Sequence, residues 1–399
     1  MSVIRGGITA PLGFRAAGLW SGIKRDRRPD LALLASLVPA AAAGVYTTNR
    51  IQAAPVVLTK ARLRRGRCQA VLVNSGCANC ATGAQGLRDA RFLTTVAARE
   101  LGIDERLVVM ASTGVIGRRL PTPRLARRLP ALVRGLSRRG SREAARAILT
   151  TDTEVKECAV QGRIGATRIR VGGIAKGAGM IAPHMATMLC FLTTDASVAP
   201  RLLQQALRRS AASFNQITVD GDMSTNDTVL VLANGLAGNR TLRAAGPAFE
   251  QFCALLTQVT DRLARWIVED GEGATKTAAI TVRHAATPRD ADACARHVAN
   301  SPLVKTMLAG GDVNVGRIIA AVGASPARFR PERLEVRLNG TVVFRQGVMV
   351  SSVRRQVRAA LQGAHVPVTI DLHAGGASST VRTCDLTEAY VKINARYTS

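Results

Sequence analysis

The sequence predicts an α/β fold with a large core and a smaller α+β lobe towards its C-terminal end. Along most of the chain, short apolar runs of strand length alternate with longer amphipathic stretches of helical period. After about residue 285 the pattern changes: Thr287–Pro288 signals a helix start, and Asn339–Gly340 between two strand-like runs is a strong hairpin signal. With 399 residues, of which 47% are apolar, the chain can bury a large core.

The elements before residue 285 follow from the hydrophobic pattern. A buried strand over 71–76 ends in a turn, and a helical stretch runs from Leu87 to Leu101. A second strand is predicted over 107–110 and a third over 167–171. The third strand leads into a central segment that begins at residue 176. Beyond it, the longest predicted helix is the amphipathic stretch from about Pro247 to Val268.

The central segment, residues 176–189, reads Lys-Gly-Ala-Gly-Met-Ile-Ala-Pro-His-Met-Ala-Thr-Met-Leu. Its glycines and proline indicate a tight turn, and Thr187 then stands where the turn enters an apolar run of strand length. A threonine there can attack the preceding carbonyl, and its released α-amino group, with a pKa of about 8, can serve as its base. Two other interpretations are open. Residues 177–182 could form a dinucleotide-binding loop, but such a loop would have to open a helix. Thr187 could also be an ordinary residue of a buried strand, since threonine is a good β-former.

The chain is strongly basic, with a net charge of +28 and ten arginines between Arg118 and Arg146. Nucleic-acid binding is one interpretation of this charge. However, only 3% of the residues are aromatic, so stacking surfaces for bases are scarce, and the sequence carries no nucleic-acid-binding motif. We therefore expect the arginines to line the exposed face of an amphipathic helix. A positive field that attracts acidic substrates fits either interpretation.

The sequence predicts no metal site. Cys77 and Cys80 form the one CxxC pair among eight scattered cysteines, without a partner pair or histidine at zinc spacing, so buried thiols are favoured over a redox pair. The five histidines also lack metal-ligand spacing, and Asp220 with Asp222 fits a turn network better than a metal site. No apolar run reaches membrane length and the N-terminus differs from a signal peptide, so we expect a cytoplasmic protein without a membrane partner.

The stretch from Gly172 to Leu189 resembles the signature of the glutamate N-acetyltransferase/ornithine acetyltransferase family. Further matches extend this resemblance over nearly the whole chain: Gly6–Pro11, Ala43–Arg50, Ala111–Gly117, Ile217–Thr228, Asp270–Lys276, Ser301–Thr306 and Tyr390–Ser399. The sequence departs from the family pattern at four positions, which are Cys77, His184, Val313 and Val315.

The resemblance implies a four-layer α-β-β-α core of stacked sheets and a precursor that cuts itself between Ala186 and Thr187. Residues 1–186 would form one chain of the core, residues 187–284 would complete that core, and residues 285–399 would form the C-terminal α+β lobe, whose tail returns to the active site. Two copies of each fragment are expected to assemble together.

The activity implied by the resemblance is acetyl transfer from N-acetylornithine to glutamate, in the cyclic pathway of arginine biosynthesis, through an ester on Thr187. The family's oxyanion-stabilising pair corresponds to Thr113 and Gly114. Its substrate contacts, besides Thr187, correspond to Thr153, Lys176, Glu272, Asn394 and Ser399. No cofactor is required. Some members also accept acetyl-CoA, and the sequence leaves this substrate open.

Two rival functions remain at this stage. An amidase or aminopeptidase of similar fold would hydrolyse the acyl-enzyme, although the residues matching Glu272 and the C-terminal tail weigh against it. The second rival function is nucleic-acid binding by a basic relative that has lost catalysis. A steep decrease of DNA affinity with increasing salt concentration would identify it.

We expect the purified chain to be cut between Ala186 and Thr187, because the Thr187 hydroxyl can attack the Ala186 carbonyl. Intact mass should reveal two fragments, and N-terminal sequencing of the second should read Thr-Met-Leu-Cys-Phe-Leu. The Thr187→Ala variant lacks the attacking hydroxyl and should stay whole. A fully active protein that remains one uncut chain would contradict the prediction.

Overall fold

The computed structural model describes residues 1–182 and 188–396. The strands in this part of the chain are β1 (Ser2–Ile4), β2 (Phe14–Leu19), β3 (Leu31–Tyr46), β4 (Arg67–Cys77), β5 (Val108–Val115), β6 (Lys156–Ile164), β7 (Thr167–Lys176), β8 (Leu189–Thr194), β9 (Thr228–Ala233), β10 (Thr277–Ala285), β11 (Glu335–Leu338), β12 (Thr341–Arg345), β13 (Val348–Met349), β14 (His365–Asp371) and β15 (Ala377–Cys384). The α-helices are α1 (Ala54–Leu63), α2 (Gly83–Leu101), α3 (Thr122–Arg134), α4 (Ser141–Ala147), α5 (Pro200–Ser210), α6 (Ala212–Asn215), α7 (Pro247–Glu269), α8 (Pro288–Asn300), α9 (Pro302–Gly310), α10 (Val315–Gly323), α11 (Arg354–Leu361) and α12 (Glu388–Arg396).

The larger sheet has nine strands in the order β1-β6-β7-β8-β9-β3-β4-β5, with β2 paired to β3. The long strand β3 joins its two halves. Residues 31–36 pair with β2, and residues 31–35 pair with β4. The register with β4 shifts before it resumes at Ala40 and Ala41, and from Ala41 onwards β3 pairs with β9. A register shift of this kind bends a strand, so β3 can contribute to both halves of the sheet.

The two halves of this sheet pack face to face, and each is covered by helices on its outer face. Phe191 and Leu230 from one half share a buried cluster with Val71 and Val109 from the other. The neighbouring residue Leu72 points the other way, into a cluster formed with α2 and α3. On the far side, α5 and α7 pack against β6 to β9. This α-β-β-α arrangement confirms the predicted stacked-sheet core.

The C-terminal lobe is built on a second sheet of six strands, in the order β13-β12-β11-β14-β10-β15. One face of it packs on α8, α9 and α10 around a separate apolar cluster. The predicted hairpin at Asn339–Gly340 joins β11 and β12, and Thr287 caps α8 by accepting the Asp290 N–H at 3.1 Å. The sheet begins with β10 at Thr277, ahead of the boundary predicted at residue 285.

Within the described ranges, no helix is both long enough and apolar enough to span a membrane. The arginine-rich stretch contains α3, whose buried face is formed by Leu125, Leu129 and Leu132. All the arginines between 118 and 146 are exposed, so this stretch has the amphipathic character that the sequence predicted.

Candidate active site

The central segment connects two neighbouring strands at one edge of the larger sheet. The end of β7 pairs with the start of β8, Lys176 opposite Leu189, and Leu189 lies opposite Thr228 at the start of β9. The predicted cleavage site, Ala186 and Thr187, falls outside the described residues. Met188, which follows it, is described and donates its backbone N–H to Asp227 Oδ1 at 3.0 Å.

A cavity of about 110 Å³ opens beside this edge of the sheet. It is lined by thirteen described residues: Thr113, Gly114, Ile116, Thr150, Thr151, Lys176, Gly179, Met180, Ser224, Thr225, Asn226, Glu272 and Asn394. Five of these residues were predicted from the sequence, namely Thr113, Gly114, Lys176, Glu272 and Asn394. They come from four separate stretches of the chain, so the fold is what brings them together.

The predicted oxyanion pair lies at the end of β5. Gly114 has a φ of +125°, and a Cβ atom there would lie 2.3 Å from the carbonyl carbon of Gly76. No other residue fits this position. Asn226 fixes the end of this strand, because its side-chain amide donates to the carbonyl oxygens of Ala78 at 2.7 Å and Ser112 at 2.8 Å. Thr113 and Gly114 are thus held in place at the cavity wall.

The first residues of the central segment are fixed by Asp152, a buried carboxylate. Its oxygens accept the Gly177 N–H at 2.6 Å and the Lys156 ammonium at 2.9 Å, and one of them lies 3.5 Å from Lys176 Nζ. Lys156 also pairs with Asp270. Burial alone would raise the pKa of Asp152, but the charges of Lys176 and Lys156 hold it well below its usual range. Asp152 therefore stays ionised and positions Lys176 at the cavity.

On the opposite wall, Glu272 is held by the last described helix. Asn394 on α12 donates its side-chain amide to Glu272 Oε2 at 2.7 Å. The Glu272 carboxylate also packs closely on Gly179, where a Cβ atom would lie 2.4 Å from the carboxyl carbon. Thr387, just before α12, donates to the Gly273 carbonyl at 2.7 Å and ties the C-terminal segment to this loop. The C-terminal helix thus completes the cavity.

One predicted substrate contact, Thr153, does not line this cavity. Thr153 is exposed and donates its hydroxyl to Asp270, while its neighbours Thr150 and Thr151 line the cavity instead. Ser399 lies outside the described residues. Its role, like that of Thr187, stays a prediction.

Asp227 lies beside the cavity-lining residue Asn226 and binds the Met188 N–H, and the sequence suggested no role for it. It is fully buried, and its Oδ2 atom has no hydrogen-bond partner within the described chain. Burial raises the pKa of this carboxyl well above its usual range, although the Met188 N–H and the Lys176 charge oppose the shift. Its position in the polar run 217–228 was visible in the sequence, but nothing there distinguished it from its neighbours.

Comparisons with known proteins identify the family to which this chain belongs. The ArgJ family model matches residues 15–399. The arginine biosynthesis bifunctional protein ArgJ of Symbiobacterium thermophilum is 49% identical over 400 residues, covering 100% of both chains. Its counterpart from Geobacter sulfurreducens is 47% identical over 387 residues, covering 96% of this chain and 98% of the relative.

Among solved structures, ornithine acetyltransferase from Mycobacterium tuberculosis, complexed with ornithine, is 42% identical. The match covers 46% of this chain and 97% of that chain, with a TM-score of 0.44. The family resemblance inferred from the motifs is confirmed by the family model and by the full-length relatives. The chain therefore belongs to the ArgJ family.

Proposed function

We propose that this protein is a glutamate N-acetyltransferase of arginine biosynthesis that transfers the acetyl group of N-acetylornithine to glutamate through Thr187. The observation that carries the proposal is the convergence of Thr113, Gly114, Lys176, Glu272 and Asn394 on one cavity. That cavity lies at the sheet edge where the segment containing Thr187 ends. Self-cleavage before Thr187 would free the α-amine that activates its hydroxyl.

In the first half-reaction, the Thr187 hydroxyl oxygen attacks the acetyl carbonyl carbon and passes its proton to the Thr187 amine. The oxyanion that forms accepts hydrogen bonds from the Gly114 N–H and the Thr113 hydroxyl. The bond from carbon to the ornithine nitrogen then breaks, and ornithine leaves as the amine after taking up that proton. The glutamate amine repeats these steps in reverse, so the acetyl group moves to glutamate and the hydroxyl is restored.

The cavity offers both charges that an amino acid requires. Lys176 is 2% exposed and supplies a positive charge for a substrate carboxylate, while Glu272 supplies an acceptor for a substrate ammonium group. Asn394 occupies one Glu272 oxygen and orients the other. Because both charges are largely shielded from water, their interactions with substrate are stronger than at the surface.

The test of this function is steady-state kinetics with both substrates, combined with trapping of the intermediate. We expect parallel double-reciprocal lines, because ornithine must leave before glutamate reacts, and an acetyl mass increment that maps to Thr187. Thr113→Ala keeps the Gly114 amide and should lose about 10²–10³-fold in kcat. Thr187→Ser should retain some transfer, whereas Thr187→Ala should have none.

Two outcomes would contradict the mechanism or the function. Intersecting lines without a trapped acetyl group would mean direct transfer between substrates. Release of acetate in place of acetylglutamate would indicate an amidase. Since the relatives are named bifunctional, acetyl-CoA should be assayed as a second donor, and native mass should report whether two copies of each fragment assemble.

Asn394→Ala should raise the KM for glutamate and N-acetylornithine about tenfold, with a smaller change in kcat. The reason is that Glu272 loses the hydrogen bond that orients it, worth roughly 1.5 kcal/mol for a charged acceptor. Lys392→Ala on the same helix is the control, because its side chain is exposed and contacts only Glu388 among the described residues. Unchanged KM values in Asn394→Ala would mean that Asn394 has no part in substrate binding.

Asp227→Ala should slow self-cleavage and acetyl transfer by about 10–100-fold, because a small displacement of reacting groups is costly. Asp227→Asn keeps an oxygen that can accept the Met188 N–H and should stay close to the unmodified protein. The fraction of cleaved chain over time and kcat measure both effects. Asp222→Ala, an exposed residue of the same loop, is the control. If Asn proves as damaging as Ala, the ionisable carboxyl itself is needed.

A further inference from the structure

The C-terminal lobe brings two histidines and an aspartate together at the ends of two neighbouring strands. Strands β10 and β14 run parallel, with Arg283 opposite Asp371. His284 follows Arg283 on β10, and His373 lies two residues beyond Asp371, so His284, Asp371 and His373 meet at this edge. Among the described residues, their ligand atoms form a group in which all atoms lie within 4.8 Å of one another.

Asp371 lies between the two imidazoles. Its Oδ2 atom is 2.7 Å from His284 Nδ1, and its Oδ1 atom is 3.3 Å from His373 Nδ1. The two rings are stacked, with their centroids 5.9 Å apart and their planes inclined by 21°. A tetrahedral zinc ion with bonds of about 2.1 Å requires its ligand atoms to be about 3.4 Å apart. The separation from His373 matches this requirement, whereas the shorter one is a hydrogen-bond distance, so the His284 imidazole and Asp371 would move apart to admit the ion.

The backbone, and not only the side-chain rotamers, directs both imidazoles towards Asp371. His284 has a φ of +50° and His373 a φ of +43°, a region that residues other than glycine seldom occupy. The turn is locked by the His284 carbonyl oxygen, which accepts the N–H groups of Ala374 at 2.7 Å and Gly375 at 2.9 Å. Both left-handed positions thus carry a metal-ligating side chain, and both of these side chains contact the same carboxylate.

We propose that His284, Asp371 and His373 form a binding site for a divalent transition-metal ion of the zinc type. Two imidazole nitrogens and one carboxylate oxygen suit zinc, whereas magnesium and calcium prefer oxygen ligands alone. The side chains of His284 and His373 are 55% and 48% exposed, so an ion can enter and a water molecule can complete its coordination. The cysteines, which would otherwise compete for zinc, are all buried.

Bound metal would join the end of β10 to the turn after β14, two segments that are far apart in the sequence. Because the ligands are assembled only in the folded lobe, binding would stabilise the folded state. None of the three residues lines the catalytic cavity. The site is therefore independent of the acetyl-transfer chemistry, and its presence or absence does not depend on the proposed function.

The test is a titration of the untagged, chelator-treated full-length protein with zinc chloride by calorimetry, with the shift in melting temperature as a second measurement. We expect one zinc ion per chain at micromolar concentration and a rise in melting temperature. His284→Gly and His373→Gly should each weaken binding at least about tenfold. Glycine suits a positive φ, so these variants should fold as well as the unmodified protein without metal. Asp371→Asn tests whether the carboxylate contributes to the zinc affinity.

The matched control is His365→Ala, since His365 lies exposed on β14 and its Nδ1 contacts Thr277 Oγ1 at 2.9 Å, away from the cluster. This variant should bind zinc as the unmodified protein does. The proposal is overturned if zinc does not bind at micromolar concentration. It is equally overturned if the glycine variants keep their affinity, because the ion would then be held elsewhere and the three residues would form only an aspartate-bridged histidine pair.

Discussion

The buried charge of Asp152 holds together the charged wall of the cavity that we propose as the active site. Removing one partner from a buried ion pair costs about 3–5 kcal/mol, because the remaining charge is left without compensation. Loss of Asp152 would also displace several groups at once, because the same carboxylate holds Lys156, Lys176 and the Gly177 amide. The position of Lys176, which we propose binds substrate, and the start of the segment that we propose cleaves itself are therefore set by one side chain.

The sequence predicted elements whose determinants are local. The Asn339–Gly340 hairpin and the long helix beginning at Pro247 appear in the structure with nearly the predicted bounds, because turn chemistry and helical periodicity are short-range properties. The bend of β3 was not predicted, since it depends on partners from both halves of the sheet. The assignment of β10 to the smaller sheet depends in the same way on strand pairing with β14 and β15.

Family motifs indicated Thr113, Lys176 and Glu272, and all three residues line the cavity. The site was not predictable where the choice depends on which side chain faces the cavity. In the irregular segment 150–153 no period distinguishes Thr151 from Thr153, and only the folded chain shows which of them lines the wall. The histidines of the proposed metal site are a further example. Strand pairing brings His284 to His373, and no ligand spacing in the sequence could have indicated it.

The large positive charge of the surface and the charges inside the cavity act over different distances. The surface can therefore attract substrates, whereas the cavity can select among them. At physiological salt, charges on the surface are screened within about 8 Å, so the exposed arginines can raise the encounter rate with acidic substrates but cannot distinguish among them. Inside the cavity, Lys176 and Glu272 are largely withdrawn from water. Under the proposed function, selectivity for an amino acid that carries both charges would arise from this pair, and the basic surface would contribute only to the rate.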